Sequence, residues 1–158
     1  MPDTTIRIAD PADIPVLASL RRAAAAERDG RDERDGAPVA DENFEARFAR
    51  WYESESGRRV TWLAEAGGEP AGMMSLAVFE RMPRPGRDAG RWGYLGNAFV
   101  LPAHRDQGTG TRLLTAVLRH ADEHGFARVV LSPSERSVPF YRRAGFGPAG
   151  ALLLRPGH

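Results

Sequence analysis

The chain has no cysteine and no lysine. The first absence removes disulfides, thiolate metal sites and a cysteine nucleophile. The second removes any Gly-Lys-Ser/Thr phosphate loop, and all 22 basic residues are arginine. Long apolar runs are missing as well: nothing approaches the ~20 residues that would cross a bilayer. The first ten residues also lack the basic-then-apolar order of a secretion signal. The cytoplasm is therefore the compartment expected by default, with no membrane partner. A dominant charge is lacking too. The net charge of +1 gives no footing for a nucleic-acid footprint, so no nucleic-acid partner is expected. What remains, 158 residues with 42% hydrophobic and 27% charged content, is the composition of one ordinary globular domain, 1–158, with a sizeable core.

The informative stretch is 95–114. It begins as a short run suited to a buried strand, breaks at Pro102, passes through Arg-x-x-Gly-x-Gly (105–110), and enters an apolar pattern of helical period. A strand feeding a glycine turn and then a helix start aims backbone N–H groups at an anion, and phosphate is the obvious guest. A β-carbon at Gly108 or Gly110 would hold a phosphate off the main chain. Arg105 adds a delocalised charge beside that nest. The dinucleotide fingerprint does not fit, since its third glycine would fall at Leu113.

In chain order, Ile6 and Ile8 suggest a first strand, and Asp10-Pro11 opens a helix carrying Ile14, Leu17, Leu20 and Ala24. The charged stretch 27–36 reads as a solvated mobile loop. Asp41 is expected to cap a second helix whose Phe44, Phe48, Trp51 and Tyr52 form one apolar stripe, most simply core. A hairpin follows, 60–64 and 72–79 around Gly67-Gly68, and then a proline- and glycine-rich connection, 80–90, expected to be irregular. After the strand 92–101 and the glycine turn, Leu113, Leu114, Val117, Leu118 and Ala121 define an amphipathic helix ended by Gly125. Strand 126–131 completes a βαβ unit and implies a parallel or locally parallel pair. A short helix is expected from about Ser137, as its cap, to Ala144, stopped by Gly145. Phe146 and 151–154 would then supply the last strand or strands.

Two segments in this order resemble the GCN5-related N-acetyltransferase (GNAT) superfamily: Val100-x-Pro-x-x-Arg-x-x-Gly-x-Gly, and Phe140-Tyr-x-x-x-Gly-Phe ending at Phe146. The resemblance implies an α/β (α+β) fold. Its central mixed sheet would be mostly antiparallel, with six or seven strands and about four helices, and two central parallel strands would splay to hold acetyl-CoA. It implies acetyl transfer from acetyl-CoA, as co-substrate, to a primary amine of a small molecule or of a peptide or protein, by direct attack in a ternary complex and without a metal. Carried over by position, the backbone of Arg105, Asp106, Gln107, Gly108, Thr109 and Gly110, with Thr111, would hold the pyrophosphate. Phe99, Val100 and Phe140 would lie along the pantetheine arm. Tyr141 matches the tyrosine that protonates the departing thiolate, and homodimers are common among members.

Gly96 or Asn97 is expected to carry a bulge that pushes the strand from its neighbour and frees a backbone N–H near Phe99 or Val100 for an oxyanion. A phenol suits the acid's task. Ser134 stands where members often have asparagine, and Ser137 where alanine is common. No carboxylate lies on strand 92–101, so the general base is unassigned. Candidates are Glu80, more simply a surface residue, and a water ordered by Tyr94 or Asn97. His104 reads as an exposed neighbour, and His120, His124 and His158 make no metal site. The acceptor pocket would be built from the region before Val60 and the 80–90 connection, with Trp62, Trp92 and Tyr94 as an aromatic wall. The missing strand carboxylate favours a second reading, a catalytically degenerate acyl-CoA-binding or sensing domain. A third is a nucleotide-phosphate binder unrelated to the family.

Overall fold

The computed structural model describes residues 3–32 and 40–157. Five strands, β1 (Thr4–Ile8), β2 (Arg59–Ala66), β3 (Glu69–Glu80), β4 (Arg91–Val100) and β5 (Phe126–Val130), form one sheet in the order β1-β2-β3-β4-β5. All neighbouring pairs are antiparallel except β4 with β5, which is parallel. The helices are α1 (Ile14–Asp32), α2 (Phe44–Ser54), α3 (Thr109–Glu123) and α4 (Val138–Arg143).

Side chains alternate across a strand, and the two faces of the sheet collect different helices. Leu63 and Met73 pack with Ala9, Leu17 and Leu20 on the α1 face, with Phe48 and Tyr52 of α2 at its margin. On the opposite face Trp62, Ala64, Met74, Leu76 and Leu95 meet Leu113, Leu114 and Val117 of α3 and Tyr141 of α4. Burying each of these leucines and valines is worth ~1.5–3 kcal/mol, which fixes α3 and hence the glycine turn that precedes it.

The chain enters α1 as the Asp10-Pro11 pair predicts. The Asp10 carboxylate accepts from Ala12 N at 2.8 Å and Asp13 accepts from Asp10 N at 2.9 Å, a reciprocal cap on a single 3-10 turn. Arg7 locks that cap with two bonds to Asp13, at 2.7 and 2.8 Å. Contrary to expectation, α1 does not fade at Glu27 but runs to Asp32. Glu and Arg are good helix formers, and a helix already anchored by Leu17 and Leu20 can extend into solvent without further burial. The rest of that stretch, 33–36, lies outside the described residues. Asp41 also does not cap α2: its side chain accepts from Asn43 N at 3.1 Å, and Asn43 occupies the cap position.

The 80–90 connection is more ordered than expected. Arg81 N donates to Gly90 O at 2.8 Å, Arg84 bridges Arg87, and Pro85-Gly86 turns the corner with Gly86 at φ +76°, so the β3–β4 hairpin narrows to a proline-glycine turn. At the other end of the chain the expected final strand is absent. Phe146 is half-buried, no strand occurs in 146–157, and Leu153 and Leu154 are 102% and 91% exposed. Gly147, Pro148 and Gly150 interrupt the run, and proline has no N–H to give a ladder. The sheet therefore has five strands among the described residues rather than six or seven.

Two irregularities in β4 set the geometry at its C-terminal end. Ser75 pairs with Gly96 and Met73 with Phe99, so β4 carries one residue more than β3 over this span, a bulge with Asn97 at φ +52°. Pairing between β4 and β5 ends at Tyr94 with Val130, although β4 continues to Val100. Beyond Tyr94, where β5 ends, β4 runs on to Val100 without a strand paired on that side.

Candidate active site

The turn after β4 is a row of open backbone donors. Pro102–His104 forms a 3-10 turn, Asp106 and Gly108 take positive φ of +60° and +79°, and α3 begins at Thr109. The first bond of the helix runs from Arg112 N to Gly108 O at 3.0 Å. Apart from the Arg105-Asp106 turn, among the described residues no close backbone bond engages the N–H groups of 106–111. Those of 109–111 are the orphans of a helix start. No side chain caps this end, and a β-carbon at Gly108 would meet nothing within 4 Å. The donors face open space of the kind an oxyanion fills.

Arg105 departs from its expected role as a free charge beside the nest. Its guanidinium donates to Val100 O at 3.0 Å and to Glu27 at 2.7 Å, and lies 5.7 Å from the Phe99 ring. It ties α1 to the end of β4, and the backbone of its loop is what remains for a ligand. Thr109 is buried, its hydroxyl donating to His104 O at 3.5 Å, while Gln107 and Thr111 are exposed.

The two sequence segments converge in space. A β-carbon on Gly110 would sit 3.6 Å from the Phe140 ring and 3.9 Å from Val100, so the glycine turn, the end of β4 and α4 share one corner. Tyr141 follows Phe140 on α4, buried with its ring 5.0 Å from Phe140 and 5.7 Å from Phe146. Burial pushes the pKa of its neutral phenol further up. No side-chain hydrogen bond engages it among the described residues. Gly145, at φ +99°, stops the helix as predicted. Ser137 precedes α4, but its backbone is already helical and its hydroxyl donates to Ser134 O at 2.9 Å instead of capping. Ser134 donates to the Ser137 hydroxyl at 3.0 Å.

On the α1 face a cavity of about 380 Å³ opens beside the bulge. Its wall is the aromatic stripe of α2, namely Phe44, Phe48, Trp51 and Tyr52. Leu17 and Arg21 of α1, Arg47 of α2, and Thr61, Met73, Ser75 and Asn97 of the sheet complete it. The stripe read from sequence as core thus lines a cavity: α2 has no fully buried residue, and Trp51 is 36% exposed. The available signal was that the stripe is wholly aromatic, with no Leu, Ile or Val to pack it tightly. The expected aromatic wall is elsewhere. Trp62 is core, edge-on to His120 at 5.2 Å. Trp92 stacks on Phe79 at 4.5 Å, and the Tyr94 hydroxyl donates to Ser132 at 3.0 Å.

No Asp, Glu or His lines this cavity among the described residues. Glu80 pairs across from Arg91, six β4 residues from Asn97, about 20 Å along the strand at ~3.3 Å per residue. That distance takes it out of the site. The 80–90 connection contributes nothing to the lining either. Tyr52, whose pKa is raised by burial and then by Asp13 and Asp10, donates to Ala9 O at 3.4 Å and is no base. His120 and His124 stack on each other at 4.0 Å, and His158 lies outside the described residues.

This architecture has known relatives. A glucosamine 6-phosphate N-acetyltransferase of Trypanosoma brucei brucei is 32% identical over 79 residues. That match covers 50% of this chain and 52% of that protein, so the chain spans about half the length of the curated relative it matches. A GCN5-related N-acetyltransferase from Ralstonia eutropha JMP134 superposes with a TM-score of 0.71 at 26% identity, covering 98% of both chains. A predicted acetyltransferase from Clostridium acetobutylicum, solved with acetyl-CoA, superposes with a TM-score of 0.72 at 23% identity, covering 98% of this chain and 96% of that one. The model of the acetyltransferase (GNAT) family matches residues 23–146. That match over most of the chain settles the assignment: the chain belongs to the GNAT family of acetyltransferases.

Proposed function

We propose that the protein transfers an acetyl group from acetyl-CoA to a primary amine, by direct attack of the amine on the thioester. The observation that carries this is the row of open N–H groups around Gly108 and the start of α3, set beside the end of β4, where it runs on past the end of β5. Those donors fit a diphosphate, and Phe99, Val100 and Phe140 offer an apolar track for the pantetheine arm. The amine enters from the α2 cavity, whose Asn97 belongs to the bulge itself.

In the reaction the amine lone pair forms the C–N bond and the C–S bond breaks. The thiolate takes a proton from Tyr141, and the nitrogen loses one to water. The bulge leaves β4 backbone unpaired beside the carbonyl, suited to the oxyanion. Tyr141 is a neutral phenol at pH 7, with its pKa pushed further up by burial, and a thiolate lies within about two pKa units of an ordinary phenol.

Thiol release from acetyl-CoA with a panel of amines tests the proposal. Tyr141→Phe should lower kcat by about 10²–10⁴-fold, the span of a positioned acid, with coenzyme affinity unchanged; equal loss of both would remove the acid role. The lack of a cavity carboxylate or imidazole favours one other function, acyl-CoA binding without transfer. Turnover with any amine well above thioester hydrolysis would rule that out.

A further inference from the structure

The geometry points to the acceptor's class: an amine with a carboxylate one carbon away and an apolar side chain, that is, an α-amino acid with a free carboxylate. This rests on the cavity being the acceptor site, as proposed above, and narrows what enters it.

Three features fix the chemistry. The first is charge: the cavity wall presents two arginines and, among the described residues, no carboxylate. Arg47 is neutralised by Asp41. The exposed guanidinium of Arg21 is not neutralised among the described residues, since its side-chain bond is to a neutral group, Asn97 Oδ1 at 3.3 Å. A cationic polyamine would find no counter-charge here, whereas an anion finds a fork-shaped donor with most of its N–H groups unused.

The second is distance. Arg21 touches the bulge residue of β4, so an anion held by Arg21 lies within a few bond lengths of the bulge where transfer would occur. An anion remote from the amine, at the far end of a sugar for instance, would not satisfy both. The third is the remaining volume. Beyond Arg21 the cavity is Phe44, Phe48 and Trp51 over Leu17 and Met73, apolar surface suited to an aliphatic or aromatic side chain. Of the hydroxyls a polyhydroxylated ring could meet, Ser75 already serves as acceptor for Arg59 at 3.1 Å and Thr61 at 3.4 Å, and Tyr52 donates to Ala9 O at 3.4 Å, which leaves the Asn97 amide and the two arginines as its partners. A neighbouring cleft of about 410 Å³ includes Asp10, Glu53 and Glu55, but it does not reach Asn97.

The test compares L-phenylalanine, phenylalaninamide, phenethylamine, spermidine and glucosamine 6-phosphate as acceptors. Affinity for N-acetyl-L-phenylalanine and N-acetylphenethylamine is read separately by calorimetry. Phenylalanine should have the highest kcat/KM. Arg21→Gln should raise its KM about tenfold, the size of one charge-assisted contact, and change the KM of phenethylamine far less. Higher kcat/KM for phenethylamine, spermidine or glucosamine 6-phosphate would overturn the acceptor class and leave acetyl transfer standing. Absence of thiol release with every amine would count against transfer itself. Calorimetry then decides the class alone: binding of N-acetyl-L-phenylalanine that Arg21→Gln abolishes supports it, and no preference for the carboxylated compound overturns it.

Discussion

Gly108 and Arg105 show how differently single residues reveal themselves. Gly108 was legible: an Arg-x-x-Gly-x-Gly turn before a helical period needs a left-handed residue at the helix entrance, and Gly108 has φ +79° with open space where a side chain would stand. Gly108→Ala clashes with nothing yet must hold a positive φ, which costs an L residue ~1 kcal/mol. Its methyl would also stand in front of the open amides. The expected result is a small loss of melting temperature and at least a tenfold rise in Kd for CoA by calorimetry. Arg105 was not legible, because its partner Glu27 lies 78 positions away and no local pattern encodes such a pair. Tyr141 falls between these two: its place in Phe140-Tyr-x-x-x-Gly-Phe is legible in the sequence, but the burial that pushes its pKa up is tertiary.

At the scale of elements, β4 was read well and α2 was not. The bulge expected at Gly96 or Asn97 from the family resemblance falls at Asn97. The stripe on α2 was visible by its spacing, but periodicity says which side chains share a face and not whether that face is sealed. Here α2 lies over the sheet margin and leaves a cavity. The close approach of β3 to β4 makes a sharp element-level prediction. A β-carbon on Gly72 would lie 2.6 Å from Phe99 O and 3.2 Å from the Val100 Cα, so the backbone beyond the bulge must move. Gly72→Ala should cost ~1–3 kcal/mol, as overpacking does, measured as a lower urea midpoint. CoA affinity should fall with it, because Phe99 and Val100 are displaced. Unchanged stability would mean that the two strands are not in that register.

Across the whole molecule, the order of strands and helices and the parallel final pair followed from alternating periods and turn residues. The ends of the sheet did not: Ala151 to Leu154 looks like a strand, yet Pro148 and its flanking glycines leave it unpaired. Helix α3 seats His120 against Trp62 and Phe126. Burial, and then His124, lower its pKa below the ordinary 6.5. The folded protein therefore binds fewer protons there than the unfolded chain, and stability rises with pH through that range. This contribution is complete above pH 6.5 and is lost as pH falls from there toward the folded pKa. Asp13 is held below its ordinary 3.8, chiefly by its hydrogen bonds from Arg7, and its contribution is lost only in stronger acid. Urea midpoints should accordingly fall between pH 7 and pH 5, and His120→Gln should flatten that slope. A slope unchanged by the substitution would assign the effect to other groups.

The central claim is that the main-chain amides of 106–111 hold the coenzyme's diphosphate. Backbone amide NMR during titration with CoA tests it directly. The resonances of Asp106, Gln107, Gly108, Thr109, Gly110 and Thr111 should move most and saturate together, and pantetheine, which lacks the diphosphate, should leave them in place. Saturable CoA binding that left these amides unmoved, or that moved them equally with pantetheine, would contradict the account.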